Sequence, residues 1–488
     1  MCKWNSRRRA AGAAESVTGR RALALRVLAG PAVFAIVCAA PLAGLAPEAH
    51  LALGVYAWTV AWWVTTPVPW AVASFLPFVI LPLGGVMPLS DVAGSYGHVI
   101  LPYLMGVMLF GHAFQKHGLA RRIALAALCV PGVARSGTGL IFAILVVSAV
   151  MSALVSDLAV IVMMTPIALS LTHSVAAGAK RMSAAASLAV LYGAAAGGLA
   201  TPAGIVFNAL TLSLLEQFTS YSVSFVQWAS TGVLLAAAHF PVCYLILKLM
   251  LPPEVRAIPN ARERFLKERE QLGPMSRGER NVLLVLILML VLWTLPTVAE
   301  IGFLDIWYVP PVAMVLLFLL PVDAKRSAMT LGVKDFQEGV AWNALYLVLG
   351  GMALADILTT LGTIEWLAGL LTGSVTAGAL PWVAGLATPL LTQLASGAAT
   401  SIMVSTILFP LAEALGYNPA ILARIIAGTA QAVAFPWSSP ASAATFAFGA
   451  VGFGTMFRVG LVATVLTSIV VIALSMILVP ALQAFAVG

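Results

Sequence analysis

The sequence predicts an all-α polytopic membrane protein. It should hold two inverted-topology repeats, with about 11 transmembrane helices plus two re-entrant hairpins. Three observations predict this. Of the 488 residues, 61% are hydrophobic and 9% charged, where a soluble domain carries roughly 25% charged residues. The apolar residues fall in long runs, and a helical span needs roughly 20 of them. Breaks of small residues and proline recur in the same order in both halves.

The elements follow in chain order. Residues 1–21 form a basic N-terminus with Lys3, Arg7, Arg8, Arg9, Arg20 and Arg21. Basic flanks mark the cytoplasmic side. The run at 22–45 is long enough to stay as a helix rather than be cleaved as a signal peptide. The first repeat covers 22–252, with further runs near 50–66, 69–87, 99–115, 138–155, 157–176, 184–215 and 226–251. Residues 253–280 alternate acidic and basic side chains and read as a partly helical cytoplasmic connector. The second repeat covers 281–488, with runs near 281–298, 307–321, 342–359, 363–373, 376–395, 397–415, 419–435 and 455–485.

Lys116, Arg121, Arg122 and Arg135, then Lys325, Arg326 and Lys334, mark cytoplasmic loops. No Lys or Arg follows Arg458, which suggests an external C-terminus. The partner of such a chain is the lipid bilayer, in a cell membrane. Its Ala-rich, Arg-over-Lys composition suggests a bacterial inner membrane.

Composition also excludes functions. The net charge of +8 sits in loops and does not imply nucleic acid. Cys2, Cys38, Cys129 and Cys243 are far apart, with neither a disulfide framework nor a metal spacing. No nucleophile–base or His/Glu spacing points to an enzyme, and no cofactor is expected beyond sodium ions. His98, His112 and His117 suit interfacial positions, and Trp62, Trp63 and Trp70 an interfacial aromatic belt. Asp356 lies in an apolar run and could face a bundle interior. Arg424 and Arg458 read as single basic anchors at helix starts.

The repeat can be followed in residues. Pro102–Leu119 and Leu345–Gly362 align Gly106 with Gly350 and Gly118 with Gly362, both at an offset of 244. Ser156 and Ser396 differ by 240, and Thr201-Pro202 and Ser439-Pro440 by 238. Four breaks lie within this frame: A-L-V-S-D-L at 153–158, G-G-L-A-T-P-A-G-I-V-F-N at 197–208, Q-L-A-S-G-A-A-T at 393–400 and F-P-W-S-S-P-A-S-A at 435–443. Unwound backbone is tolerated at membrane depth only where protein or a water cavity satisfies it. Freed N–H groups at a half-helix start attract an anion, and freed carbonyls can hold a cation. Paired breaks of this kind point to a transporter's binding site. Asp157 stands out, because an acid in an apolar stretch is costly. Its plainer reading is a helix cap.

At these positions the chain resembles the divalent anion:sodium symporters, which carry dicarboxylates, tricarboxylates or sulfate. The resemblance covers roughly residues 50–485. The family's S-N-T falls on Ser156-Asp157-Leu158, with Pro166 matching, and again on Ser396-Gly397-Ala398, with Thr400 matching. Its G-G-x-x-T-P-x-G-T-P-P-N falls on 197–208, where Gly197, Gly198, Thr201, Pro202, Gly204 and Asn208 match. A later P-x-x-T-P-P-N falls on 436–442, where Pro436 and Pro440 match. Trp62, Trp63, Thr65 and Pro69 resemble the family's W-W-x-T-E-x-x-P, with Thr66 in the Glu place.

The resemblance implies a homodimer, an elevator-type movement and a small anionic substrate moved with sodium. It implies substrate contacts from Ser156, Asp157, Asn208, Ser396, Gly397 and Ser442. It implies cation contacts from Ser156, Asp157, Thr201, Gly204, Asn208, Ser396, Thr400 and Ser439. The departures matter. An Asn amide donates to a carboxylate, whereas an ionised Asp only accepts. The site should therefore not hold succinate in the family's usual way. Three readings stay open: Asp157 binds sodium, Asp157 carries the coupling proton, or the substrate is less anionic or larger, with Gly397 and Ala398 making room. Exchange transport and a transport-inactive membrane sensor are the remaining alternatives.

Overall fold

A computed structural model describes residues 23–130, 136–175, 179–255, 261–299, 305–323, 328–372, 375–436 and 438–483. The basic N-terminal residues 1–21, Arg135, Arg256, Lys325, Arg326 and Trp437 lie outside the described residues. The chain forms two compact units, residues 1–98 with 342–370, and 99–341 with 371–488. Each unit draws on both halves of the sequence.

The larger unit carries every candidate site residue. Its helices include α1 (Ile100–Lys116), α2 (Gly137–Ser152), α3 (Asp157–Val175), α4 (Lys180–Gly198), α5 (Val206–Phe218) and α6 (Phe225–Met250). From the second half come α7 (Leu380–Leu394), α8 (Gly397–Ala414), α9 (Pro419–Thr429), α10 (Pro440–Ala447) and α11 (Phe453–Gln483). The described structure is not wholly helical. Pro321–Asp323 pairs antiparallel with Ala328–Met329, at a point where the sequence led us to expect only a loop.

Among the described residues, five helices are long and apolar enough to cross a membrane: Phe225–Met250, Arg277–Pro296, Trp342–Thr360, Gly397–Ala414 and Phe453–Leu482. Shorter apolar helices, such as Gly137–Ser152, Asp157–His173 and Pro419–Thr429, flank the breaks. They are short because the breaks end them.

Helix α4 forms the centre. All its residues from Met182 to Gly198 are buried. It has no polar face, as a helix surrounded by protein requires. Its Ala, Ser and Gly residues let neighbours approach closely. Gly193 and Gly197 lie one helical turn apart on the face that meets α2. A Cβ on Gly193 would lie 2.4 Å from the Leu145 carbonyl oxygen, and one on Gly197 would lie 1.8 Å from that of Ala149. The two helices therefore pack backbone to backbone.

The contacts between halves are reciprocal. Helix α5, which follows the first unwound segment, packs on α8, which begins at the second serine tip. Helix α10, which follows the second unwound segment, packs on α3, which begins at the first tip.

In the smaller unit, Trp63 is 1% exposed and its indole donates to Ser74 Oγ at 3.2 Å. Trp63 is thus a core residue rather than part of an interfacial belt. Ser95 Oγ donates to Asp356 Oδ2 at 2.5 Å, so Asp356 has a local partner. Cys38 and Cys243 are free thiols.

Asp335 anchors the turn that opens helix Val333–Gly339. It accepts from the Gly332 N–H and from Lys116 Nζ, both at 2.7 Å, and from His112 Nε2 at 3.1 Å. Desolvation pushes its pKa up, but the Lys116, Gly332 and His112 hydrogen bonds and the Lys116 charge win, holding it below the usual carboxylate range.

Two outcomes follow from this packing. Gly197→Ala should lower the melting temperature sharply, at or beyond the ~3 kcal/mol upper range for overpacking, because the obstacle is backbone. Gly454→Ala, which meets nothing within 4 Å, should be neutral in the same thermal scan. Asp335→Asn should destabilise by about 1–2 kcal/mol at pH 7. Because Asp335 is held low in the folded state, its contribution is complete above the free carboxylate value of about 3.9. It fades as pH falls through the lower folded value. The gap between wild type and variant should therefore close under acid, and a gap that widens there would contradict the assignment.

Candidate functional site

The first tip is the turn between α2 and α3. The Asp157 N–H donates to the Gly204 carbonyl at 3.1 Å, and the Ser156 carbonyl takes the Val160 N–H at 3.1 Å. Asp157 is the first residue of α3, and its Oδ1 accepts the Leu158 N–H at 2.8 Å. The expected capping role is thus present, one residue inside the helix. Its other oxygen, Oδ2, accepts from Gln431 Nε2 at 2.8 Å.

The first unwound segment runs between α4 and α5, and its polar groups are tied inward. Thr201 Oγ1 donates to the Ala153 carbonyl at 2.7 Å. Asn208 is fully buried, and its Nδ2 donates to the Gly198 carbonyl at 2.8 Å and to the Thr201 carbonyl at 2.7 Å. Gly204 is needed for close approach, since a Cβ there would lie 2.5 Å from the Gly198 carbonyl oxygen and 2.8 Å from that of Ser152.

The second tip begins α8. Ser396 caps it, its Oγ accepting the Ala399 N–H at 3.2 Å. Ser401 Oγ returns to the Gly397 carbonyl at 2.8 Å. Gly397 makes no room for a larger ligand. A Cβ there would lie 2.5 Å from both the Ala430 carbonyl oxygen and Phe207 Cζ. The space that its missing side chain leaves is filled by the Ala430 carbonyl and the Phe207 ring.

The second unwound segment runs between α9 and α10. Ser438 Oγ donates to the carbonyls of Ala432 and Phe435, both at 2.7 Å. The Val433 N–H donates to Thr464 Oγ1 at 3.2 Å. Ser439 caps α10 by accepting the Ser442 N–H at 3.0 Å, and its hydroxyl donates to Ser442 Oγ at 3.1 Å. Ser439 and Ser442 therefore hold each other.

The direct contacts thus join Asp157 to Gly204 and Gln431, Thr201 to the first tip, Asn208 to Thr201, and Gly397 to Phe207. Three side-chain oxygens here are buried without a hydrogen-bond partner: Asn208 Oδ1, Thr400 Oγ1 and Gln431 Oε1. A carbonyl oxygen can only accept. Leaving one buried and unpaired costs about 1–3 kcal/mol. Such atoms suit a cation or a hydrogen-bond donor.

Two residues escaped the sequence reading. Gln431 is one. The signal was a lone amide in the apolar stretch T-A-Q-A-V-A-F, and Gln431 precedes Ser442 by as many residues as Gly197 precedes Asn208. Arg424 is the other, and its reading as an anchor is corrected. It lies within α9, every residue of which is buried, and is 1% exposed. Its Nη2 donates to the Leu199 carbonyl at 3.0 Å and the Trp228 carbonyl at 3.1 Å. The guanidinium lies over the Trp228 ring, 4.2 Å from the centroid. Gly232 makes room for it, since a Cβ there would lie 2.1 Å from Nη2. The cation faces the C-terminal end of α4, the negative pole of the helix dipole, where the first segment starts to unwind. A helix apolar on all other sides cannot place an arginine at the membrane surface.

The chain is similar to known membrane transporters. The family model described as the sodium:sulfate symporter transmembrane region matches residues 21–484. The sodium-dependent dicarboxylate transporter SdcS of Staphylococcus saprophyticus is 26% identical over 459 residues, covering 89% of this chain and 87% of that protein. SdcS of Staphylococcus aureus strain USA300 is 26% identical over 444 residues, covering 86% and 84%. The YdaH transporter of Alcanivorax borkumensis shares the fold at a TM-score of 0.53 and 18% identity, over 81% of this chain and 87% of that one. MtrF of Neisseria gonorrhoeae does so at 0.54 and 14%, over 82% and 85%.

Arg424→Met should loosen the 199–205 segment. Removing a buried charge offsets part of the lost bonding, so the melting temperature should move little. Amide exchange in 199–205 should speed up about tenfold, as loss of about 1.4 kcal/mol of local protection implies. Peptides from Pro47–Thr65 should be unchanged. Equal exchange in 199–205 would show that Arg424 does not hold the turn.

Proposed function

The chain belongs to the sodium:sulfate symporter family, and we propose that it is a secondary active transporter that couples a small organic or divalent anion, dicarboxylate-like, to sodium. The two curated relatives named above are sodium-dependent dicarboxylate transporters by name. The observation that carries the reading is the crossing of two helix-start tips with two unwound segments around buried, unpartnered oxygens. The N-terminal ends of α3 and α8 supply positive partial charge for an anion. Ser156 and Ser396 are the substrate-side residues there, with Asp157, Gly397, Asn208 and Ser442 beside them. The cation side is assigned to Ser156, Asp157, Thr201, Gly204, Asn208, Ser396, Thr400 and Ser439. The chain works as a homodimer in this reading, with inverted repeats and an elevator-type shift of the site.

Charge supports sodium over a proton in this reading. The partners of Asp157 are the Leu158 N–H and the Gln431 amide. Both are donors, which complements an ionised carboxylate. Two like charges about 5 Å apart repel by about 3 kcal/mol at an effective dielectric of 20. A dianion beside Asp157 would thus lose about 6 kcal/mol, more than four orders of magnitude in affinity. A sodium ion in the buried oxygens cancels much of that.

The test is uptake into proteoliposomes of labelled four-carbon dicarboxylates and sulfate, with sodium, potassium or choline outside, at pH 5.5 and 7.5. Uptake should need sodium at both pH values. Ser156→Ala and Ser396→Ala should each reduce it by about tenfold, the worth of one bond to a charged group. Uptake that ignores sodium and rises at pH 5.5 would replace sodium by a proton. Failure of every cargo to move, with the protein folded, would favour a membrane sensor.

A further inference from the structure

Gln431 joins the two halves at the site by a side-chain hydrogen bond. It belongs to the second unwound segment, and its amide reaches Asp157 at the first tip, 274 residues away in sequence. The carboxylate of Asp157 accepts and cannot donate when ionised. It therefore fixes which end of the amide faces it. The –NH₂ group turns to Asp157, and the carbonyl oxygen Oε1 is left on the other side, buried and without a partner.

The neighbouring backbone gives this orientation a purpose. The carbonyl of Ala430, next to Gln431, fills the place where a Cβ on Gly397 would stand. The second tip therefore offers no side chain of its own at Gly397, and the second unwound segment sits directly against it. Gln431 follows Ala430 directly in this segment and carries a polar side chain. Asn208 Oδ1, in the first turn of α5 just after the first unwound segment, is likewise buried and unpartnered after its –NH₂ group is spent on Gly198 and Thr201. The two amides thus follow one scheme. The amide nitrogen is used to hold structure, and the amide oxygen is left bare.

We propose that Gln431 is a cation-coordinating residue of this transporter, its side-chain carbonyl aimed by Asp157. The proposal rests on the sodium-coupled reading above. A bare carbonyl oxygen would repel the substrate's carboxylate, and the negative charge of Asp157 beside it adds to that preference. Gln431 therefore selects the cation and leaves substrate contacts to the tips. It also ties cation occupancy to the contact between the halves, because the same amide bonds Asp157.

The experiment compares wild type, Gln431→Met and Gln431→Asn as full-length purified protein. Sodium is titrated without substrate, with the melting temperature as readout, and again in uptake at fixed substrate. Met keeps the length and removes the amide. Asn keeps the amide and withdraws it by one methylene. The expected result is a sodium half-saturation about tenfold weaker in Gln431→Met in both assays, with substrate KM at saturating sodium changed less than about threefold. Gln431→Asn should fall between. Unchanged sodium half-saturation in either folded variant would overturn the proposal. So would a raised substrate KM with sodium unaffected, since Gln431 would then be a substrate contact. If wild type itself shows no sodium-dependent shift or uptake, the sodium-coupled reading fails first, whatever the variants do.

Discussion

Satisfying broken backbone inside a membrane is the constraint on which the rest of this structure depends. Between α4 and α5, and again between α9 and α10, the chain leaves the helix. In hydrocarbon each freed N–H or carbonyl without a partner costs several kcal/mol. The protein meets that cost with side chains. Asn208 takes the carbonyls of Gly198 and Thr201, Arg424 that of Leu199, and Thr201 that of Ala153. Ser438 takes those of Ala432 and Phe435, and Thr464 accepts from Val433. Each of these side chains is a splint for an interrupted helix.

Placing the splints needs close packing, which explains the composition. Helix α4 must let α2 approach to backbone contact, so it is made of Ala, Ser and Gly. Gly204 must pass the carbonyls of Gly198 and Ser152, and Gly232 must leave space for a guanidinium. A larger residue at any of these points would move a break away from its splint. Small residues in this protein are thus conditions for the polar site rather than filler between apolar spans.

What could be read from the sequence follows from this division. Thr201, Gly204 and Asn208 were legible because an unwound turn needs a Pro, a close-approach Gly and a short polar side chain within a few residues. Ser156 and Ser396 were legible because they stand at matching breaks of the two halves, 240 residues apart, on the S-N-T resemblance. Gln431 and Arg424 were not, since each is a single polar residue in an apolar run and its partners lie far off in sequence. Periodicity cannot reveal a residue whose role is fixed by a contact between the halves. Arg424 was misread for the same reason. Its helix shows no polar face, and the partner that justifies its charge is the end of another helix.

The altered tips make sense once these contacts are counted together. An Asp at 157 would be an isolated buried charge if only its own helix received it. Here the Leu158 N–H and the Gln431 amide both donate to it. A Gly at 397 would be a cavity if the second unwound segment stood off. Here Ala430 and Phe207 close on it. The two departures are therefore coupled. With no side chain at 397, the Ala430 carbonyl stands in that place, and the next residue, Gln431, reaches Asp157. Restoring Asn at 397 would drive a side chain into the Ala430 carbonyl and Phe207, and so push Gln431 away from the acid it serves.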